Sequence, residues 1–165
     1  MSFSQVLNLF SIFFGGVISA IIVSYLTSRR DLKDYKRKKY EELYEIIRAD
    51  GVLFFDWWIR YQAAFEGSIT LDEAKKSSSI TSGAVRKSQA EMLAHLYAPK
   101  TIISLESYWE SKREFVQIIN QMVEAKKNAT SSVNLNMENY HNARIKVEGA
   151  RQKLLDDIAT HSVKL

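Results

Sequence analysis

The chain has 165 residues, a formal net charge of +4 and a sequence pI of about 9.2, a length that suits one domain of ordinary size. It contains no cysteine, which excludes disulfides, thiolate metal sites and cysteine nucleophiles. One proline and six glycines, against abundant Glu, Lys, Ala, Leu, Ile and Gln, favour helix nearly throughout, and no strand-like alternation or internal repeat stands out.

Residues 1–28 carry no charged side chain. Within them, VLNLFSIFFGGVISAIIVSYLT (residues 6–27) is long enough, at about 1.5 Å per residue, to cross a bilayer. Arg29, Arg30, Lys33, Lys36, Arg37, Lys38 and Lys39 follow at once, and no Lys or Arg precedes. That asymmetry predicts a transmembrane helix with its N-terminus outside and the rest of the chain in the cytoplasm. A cleaved signal peptide would place its positive charge before a shorter apolar core, and a buried core helix of this length is rarely free of charge. The expected division is an anchor at 1–28 and a cytosolic helical domain at 29–165, in an all-α chain whose cytosolic part is a bundle of about four helices.

The anchor has two kinds of stripe. Asn8, Ser11, Gly15 and Ser19 share one side, and Gly16, Ala20 and Ser24 repeat a small-xxx-small spacing beside it. Small residues let helix backbones approach, and Asn8 gains from an interhelical partner in lipid, so several copies are expected to pack through this face. The basic run after the span follows from topology and from attraction to anionic lipid, and gives no reason to expect duplex nucleic acid as a partner.

Residues 31–65 read as one long helix that continues from the span. Tyr40, Leu43, Ile47, Phe54, Trp57, Tyr61 and Phe65 recur at steps of three, four and seven. Asp50 and Gly51 interrupt the middle; glycine costs about 1 kcal/mol against alanine in a helix, so it should mark a bend or a close contact. The stretch VLFFDWWIRYQAAF is dense in aromatics. Core or interface packing is the plainer explanation, and stacking on bases the sharper one. Trp57 and Trp58 are adjacent and cannot share one helix face.

Residues 66–83 read as the extended non-helical stretch, with one helical turn signalled by the capping pattern Thr70-x-x-Glu73. In KKSSSITSGAVRKS, the hydroxyls of Ser77, Ser78, Ser79, Thr81 and Ser82 precede the next helix, flanked by Lys75, Lys76, Arg86 and Lys87. Free N–H groups at a helix start attract anions, and cations nearby reinforce this. The GxxxxGK[ST] spacing of a Walker A loop is absent, so nucleotide hydrolysis is not predicted; a polar loop with an ordinary serine cap explains the segment equally.

The helix over 83–97 should bury Met92, Leu93 and Leu96 and stop before Pro99, which disfavours helix at the residue preceding it and suits the first turn of the next. That next helix should run to 127, with Ile102, Leu105, Trp109, Val116, Ile119 and Val123 as its apolar stripe. A polar connection follows at 128–136, then a helix over 137–160 with Tyr140, Val147, Leu154 and Ile158 facing the core. His141, Arg144, Glu148 and Arg151 line a neighbouring face. A solvated charged face explains them, and Arg144 and Arg151 are also placed to reach a phosphate.

The three histidines, His95, His141 and His161, form no HExxH or HxxxH pair, and no carboxylate cluster has metal-ligand spacing. No GxSxG elbow or Gly-rich dinucleotide loop occurs. The sequence therefore supports neither an enzyme nor a cofactor.

The span FSIFFGGVISAIIVSYL, the basic exit SRRDLKDYKRKK and a helical domain of this length give a layout that resembles the small membrane-anchored effectors of type III CRISPR systems. The resemblance implies a homotetramer at the bacterial inner membrane, a cyclic oligoadenylate ligand in the cytosolic domain and a role in antiviral defence through perturbing the membrane. It carries no binding residue across. The sequence itself offers Lys75, Lys76, Arg86, Lys87, Arg144 and Arg151 as phosphate contacts, Ser77, Ser78, Ser79, Thr81 and Ser82 as further donors, and Trp57 or Trp58 as a base platform. The alternative class is a membrane-anchored helical scaffold that captures a protein partner through its aromatic segment, with no small ligand. A holin-like protein acting without a signal would not need so large an ordered domain.

Overall fold

The computed structural model describes the backbone of residues 3–76, 80–128 and 137–164 and the side chains of residues 17–76, 84–128 and 137–164. The elements are all helical: α1 (Phe3–Glu66), α2 (Leu71–Lys76), α3 (Ile80–Tyr97), a 3₁₀ turn (Pro99–Thr101), α4 (Ile102–Asn128) and α5 (Met137–Val163). The helices expected at 6–27 and 31–65 are thus one element. Contacts divide the chain into two units between Lys38 and Lys39.

In the first unit, Val17, Ile18, Ile21, Ile22, Val23, Tyr25 and Leu26 are all exposed on α1. Among the described residues no helix is long and apolar enough to cross a membrane, in contrast to the span expected over residues 6–27. Positions 6–16 of that span lie outside the described side chains, and residues 17–27 alone, at about 1.5 Å each, fall well short of a hydrocarbon core of about 30 Å.

The second unit, Lys39–Lys164, is built on three long helices. Tyr40, Leu43, Ile47, Phe54, Tyr61 and Phe65 of α1 are buried, as their spacing predicts, and so are Tyr140, Val147, Leu154 and Ile158 of α5. Helix α1 runs parallel to α4: Asp50 meets Tyr108 and Lys112, Phe54 meets Phe115, and the carbonyls of Ala64 and Phe65 meet Lys126. Helix α5 runs antiparallel to α4, since the Ser104 hydroxyl donates to Asp157 and Lys146 donates to Glu114 at 2.5 Å. The aromatic centre joins all three helices. Ring centroids lie 5.0 Å apart for Phe54 and Phe115, 5.2 Å for Phe115 and Tyr140, and 5.6 Å for Phe65 and Tyr140.

The faces of α3 and α4 differ from expectation. Helix α4 buries Ser104, Leu105, Tyr108, Ser111, Phe115, Ile119, Met122 and Val123, which leaves Trp109 at the margin and Val116 outside. Serines 104 and 111 are small and have their hydroxyls bonded, Ser111 to the Ser107 carbonyl at 2.9 Å, so this face admits two neighbouring helices. Helix α3 begins at Ile80, earlier than residue 83, and packs through Ala90, Leu93 and Ala94. Met92 and Leu96, expected inside, are 52% and 64% exposed; the alanine face allows the closer approach.

Helix ends follow local chemistry. Gly67, at φ 86°, closes α1 with its N–H on the Ala64 carbonyl at 3.2 Å and that of Ser68 on Ala63 at 2.8 Å, the paired bonds of a left-handed glycine cap. Thr70 and Glu73 form the predicted reciprocal cap of α2: the Thr70 N–H donates to the Glu73 carboxylate at 2.7 Å, and the Glu73 N–H to the Thr70 hydroxyl at 3.2 Å. Pro99 ends α3 and opens the corner to α4, where the Thr101 hydroxyl donates to the Ala98 carbonyl at 2.8 Å.

Candidate functional site

Two neighbouring positions on α1 organise a polar layer inside the apolar bundle. Asp50 is 2% exposed; its carboxylate accepts from the Tyr108 hydroxyl at 2.5 Å and from Lys112 Nζ at 2.6 Å. Burial, and then the Asp50 charge, push the Tyr108 hydroxyl far above the ordinary tyrosine range, so it stays protonated and donates. Lys112 also lies over the rings of Trp109, at 5.1 Å, and Tyr108, at 5.5 Å. On the other side, Gly51 is the close contact its sequence position suggested: a Cβ there would stand 2.6 Å from Arg151 Cδ. Glu148 accepts from Arg151 Nε at 3.1 Å. The layer is therefore internally compensated, two anions against two cations and a hydroxyl. Removing one member of such an arrangement leaves a buried charge uncompensated.

Further along the bundle, toward Gly67, Trp58 turns to α5 while Trp57 turns to α4. Trp57 meets Phe115 at 5.7 Å. Trp58 is buried against His141, at 6.4 Å between ring centroids, and carries the Arg144 guanidinium over its ring at 4.4 Å. The Tyr140 hydroxyl donates to the Trp58 carbonyl at 2.7 Å, which pins this turn of α1 to α5. Adjacent tryptophans are accommodated because α1 lies against two helices at once.

The residues singled out from sequence are thus only partly brought together. Trp58 and Arg144 meet. Arg151 turns inward against Gly51 and pairs within the helix with Glu148, so the face containing His141, Arg144 and Arg151 is half-buried against α1. Lys75 and Lys76 are exposed at the end of α2, Arg86 is partly exposed, and Lys87 pairs with Glu91 at 3.7 Å. Because α3 starts at Ile80, Thr81 and Ser82 belong to its first turn, with side chains outside the described set; Ser77, Ser78 and Ser79 lie outside the described residues.

A groove of about 480 Å³ lies between α1 and the end of α5, lined by Tyr40, Glu41, Tyr44, Glu45, Ile158 and Ser162. Its two carboxylates make it a poor place for an anion. Sequence reasoning missed the Asp50, Tyr108 and Lys112 group. The available signal was a carboxylate falling inside the α1 core stripe between Ile47 and Phe54.

No protein-family model matches this chain, and neither does any curated protein or solved structure.

Proposed function

We propose that this chain is a single-span membrane protein whose helical bundle stands in the bacterial cytoplasm and assembles with further copies of itself. The observation that carries the reading is the charge-free segment of α1 from Val17 to Leu26, whose apolar side chains are exposed from 42% for Val17 to 63% for Ile21. At about 100° per residue, positions 17, 18, 21, 22, 23, 25 and 26 go most of the way round the helix. A helix that is apolar all round needs lipid or other helices as surroundings. The adjoining run of Arg29, Arg30, Lys33, Lys36, Arg37, Lys38 and Lys39 supports the orientation. Val17, Ala20, Ile21, Ser24 and Tyr25 share one groove-like face, and its small residues support self-association.

Membrane fractionation followed by alkaline carbonate extraction tests the anchor, and the absence of native cysteine makes single-cysteine cross-linking at Ala20→Cys or Ser24→Cys a clean test of assembly. Retention in the pellet and efficient dimer formation are expected. Release by carbonate would overturn the anchor, and cross-linking no better than at Ile22→Cys would overturn the packing face.

A second reading is the ligand-gated antiviral effector that the CRISPR resemblance implies, with cyclic oligoadenylate as its ligand. What favours a ligand is the meeting of Arg144 with Trp58. Titration of the full chain in detergent with cyclic oligoadenylates of several ring sizes, with linear adenylates as controls, tests it. Ring-size-selective binding is expected, and no binding by a folded sample would sink it.

A further inference from the structure

We infer that Trp58, His141 and Arg144 form a receptor for an oxyanion of the phosphate-ester class. Among the described residues, Arg48, Arg60, Arg113 and Arg151 each hold a carboxylate, from Glu45, Asp56, Glu110 and Glu148 respectively. Arg144 holds none. The residue is half-buried, and its guanidinium instead lies on the Trp58 ring. Trp58 is only 9% exposed, and among the described residues its buried indole N–H has no acceptor. His141 completes the group, with its ring 6.4 Å from Trp58 and 5.9 Å from Tyr140.

These groups share one property: they donate. A guanidinium has donors only, an indole has one donor, and an imidazole presents at least one. Buried donors are nearly always paired, and the Trp58 N–H is buried with no acceptor among the described residues, so beside the half-buried Arg144 and His141 it calls for an oxygen from outside. A neutral carbonyl offers one oxygen and no charge, whereas an oxyanion offers several oxygens and neutralises Arg144 at the same time. The Arg144 guanidinium is already seated on the Trp58 ring, 4.4 Å from its centroid, so a ligand would meet a fork held in place.

The inference deepens the ligand-gated reading by naming where its charge is held, and it does not depend on the anchor. Its test is titration of the full chain in detergent micelles with pyrophosphate at constant ionic strength, followed by calorimetry and tryptophan fluorescence. Saturable binding is expected. Arg144→Gln should weaken it about tenfold or more, the loss of a charge-assisted bond. Trp58→Phe should weaken it severalfold while keeping an aromatic ring under Arg144, which isolates the N–H. Arg113→Gln, an exposed control, should leave it unchanged. Arg144→Lys keeps the charge without the fork and should give an intermediate loss, a check that stands even if Arg144→Gln disturbs the fold. Failure to saturate would mean that water alone satisfies the indole, and equal binding by Arg144→Gln and the parent would place the anion elsewhere; either result overturns the site. Cyclic oligoadenylate binding that survives Arg144→Gln would also remove this site while leaving the ligand-gated reading standing. Phosphatidylglycerol added to the micelles distinguishes the source: competition with pyrophosphate supports a lipid headgroup as the oxyanion, and independence from it supports a free one.

Discussion

The Tyr108 hydroxyl stands 2.5 Å from the carboxylate of Asp50, in the middle of the face that α1 buries. Lys112 reaches the same oxygen at 2.6 Å from a position still 22% exposed. The two donors are not equivalent. Lys112→Met would leave a buried carboxylate with one neutral donor, and breaking a buried ion pair in this way costs about 3 kcal/mol or more. Tyr108→Phe would leave the ion pair in place and remove one hydrogen bond to a charged group, at a cost of about 2 kcal/mol. Urea unfolding of the full chain in detergent, followed by circular dichroism, should rank them in that order; equal losses would mean that the ion pair does not govern this layer.

Gly51→Ala sets two effects against each other. Alanine should gain about 1 kcal/mol of helix propensity over glycine. Its Cβ, however, would stand 2.6 Å from Arg151 Cδ and force that side chain from its seat. The substitution is expected to be neutral or destabilising in the parent and to recover the gain in an Arg151→Ala background. A double-mutant cycle in thermal unfolding measures this coupling directly, and additive effects would show that the contact is not felt.

Burial raises the hydroxyl pKa of both Tyr108 and Tyr140 above the free value of 10.0. In the unfolded chain both would deprotonate near that ordinary value, whereas the folded chain holds them protonated. Their contribution is therefore complete below about pH 10 and lost progressively as the pH rises beyond it. Tyrosinate absorbance recorded with far-ultraviolet circular dichroism should show exposed tyrosines ionising first and the last ones ionising only as helix is lost. Complete ionisation with undiminished helicity would contradict the packing described for these rings.

The cap of α2 gives a local test. Thr70→Ala removes the hydroxyl that receives the Glu73 N–H, at a cost of about 1 kcal/mol. Because α2 spans only six residues, the loss should appear as faster amide exchange at Glu73 and Ala74 with little change in the global midpoint. The same cap holds the Glu73 carboxyl below its usual range, first through the Thr70 backbone N–H, so protection should persist above the ordinary glutamate pKa and fade as the pH falls below it.

Local chemistry made much of the fold legible. The α1 and α5 core stripes, the Thr70 and Glu73 cap and the Pro99 corner each depend on residues within a few positions of one another. The facing of α4 does not. Apolar side chains occur on both the Phe115 side and the Val116 side, and only the presence of α1 and α5 decides which goes inside. Arg144 and Arg151 looked like members of a solvated face because charge at helical spacing is the same pattern whether or not Trp58 and Gly51 lie opposite. Asp50 was visible as a charge within an apolar stripe, but its partners lie 58 and 62 residues away, beyond the reach of any periodicity.

Tyr140 finds its acceptor, the Trp58 carbonyl, across 82 residues. During synthesis α1 therefore leaves the ribosome with its aromatic face bare; α4 brings Phe115 to Phe54 and Trp57, but the side chains that cover Trp58 and Phe65 arrive only with the last helix. A message truncated after α4 would yield a chain with Trp58 and Phe65 open on the α5 side. Such a fragment would show the bare apolar surface on which incomplete chains aggregate, so within the second unit this architecture offers no natural stopping point before its final helix.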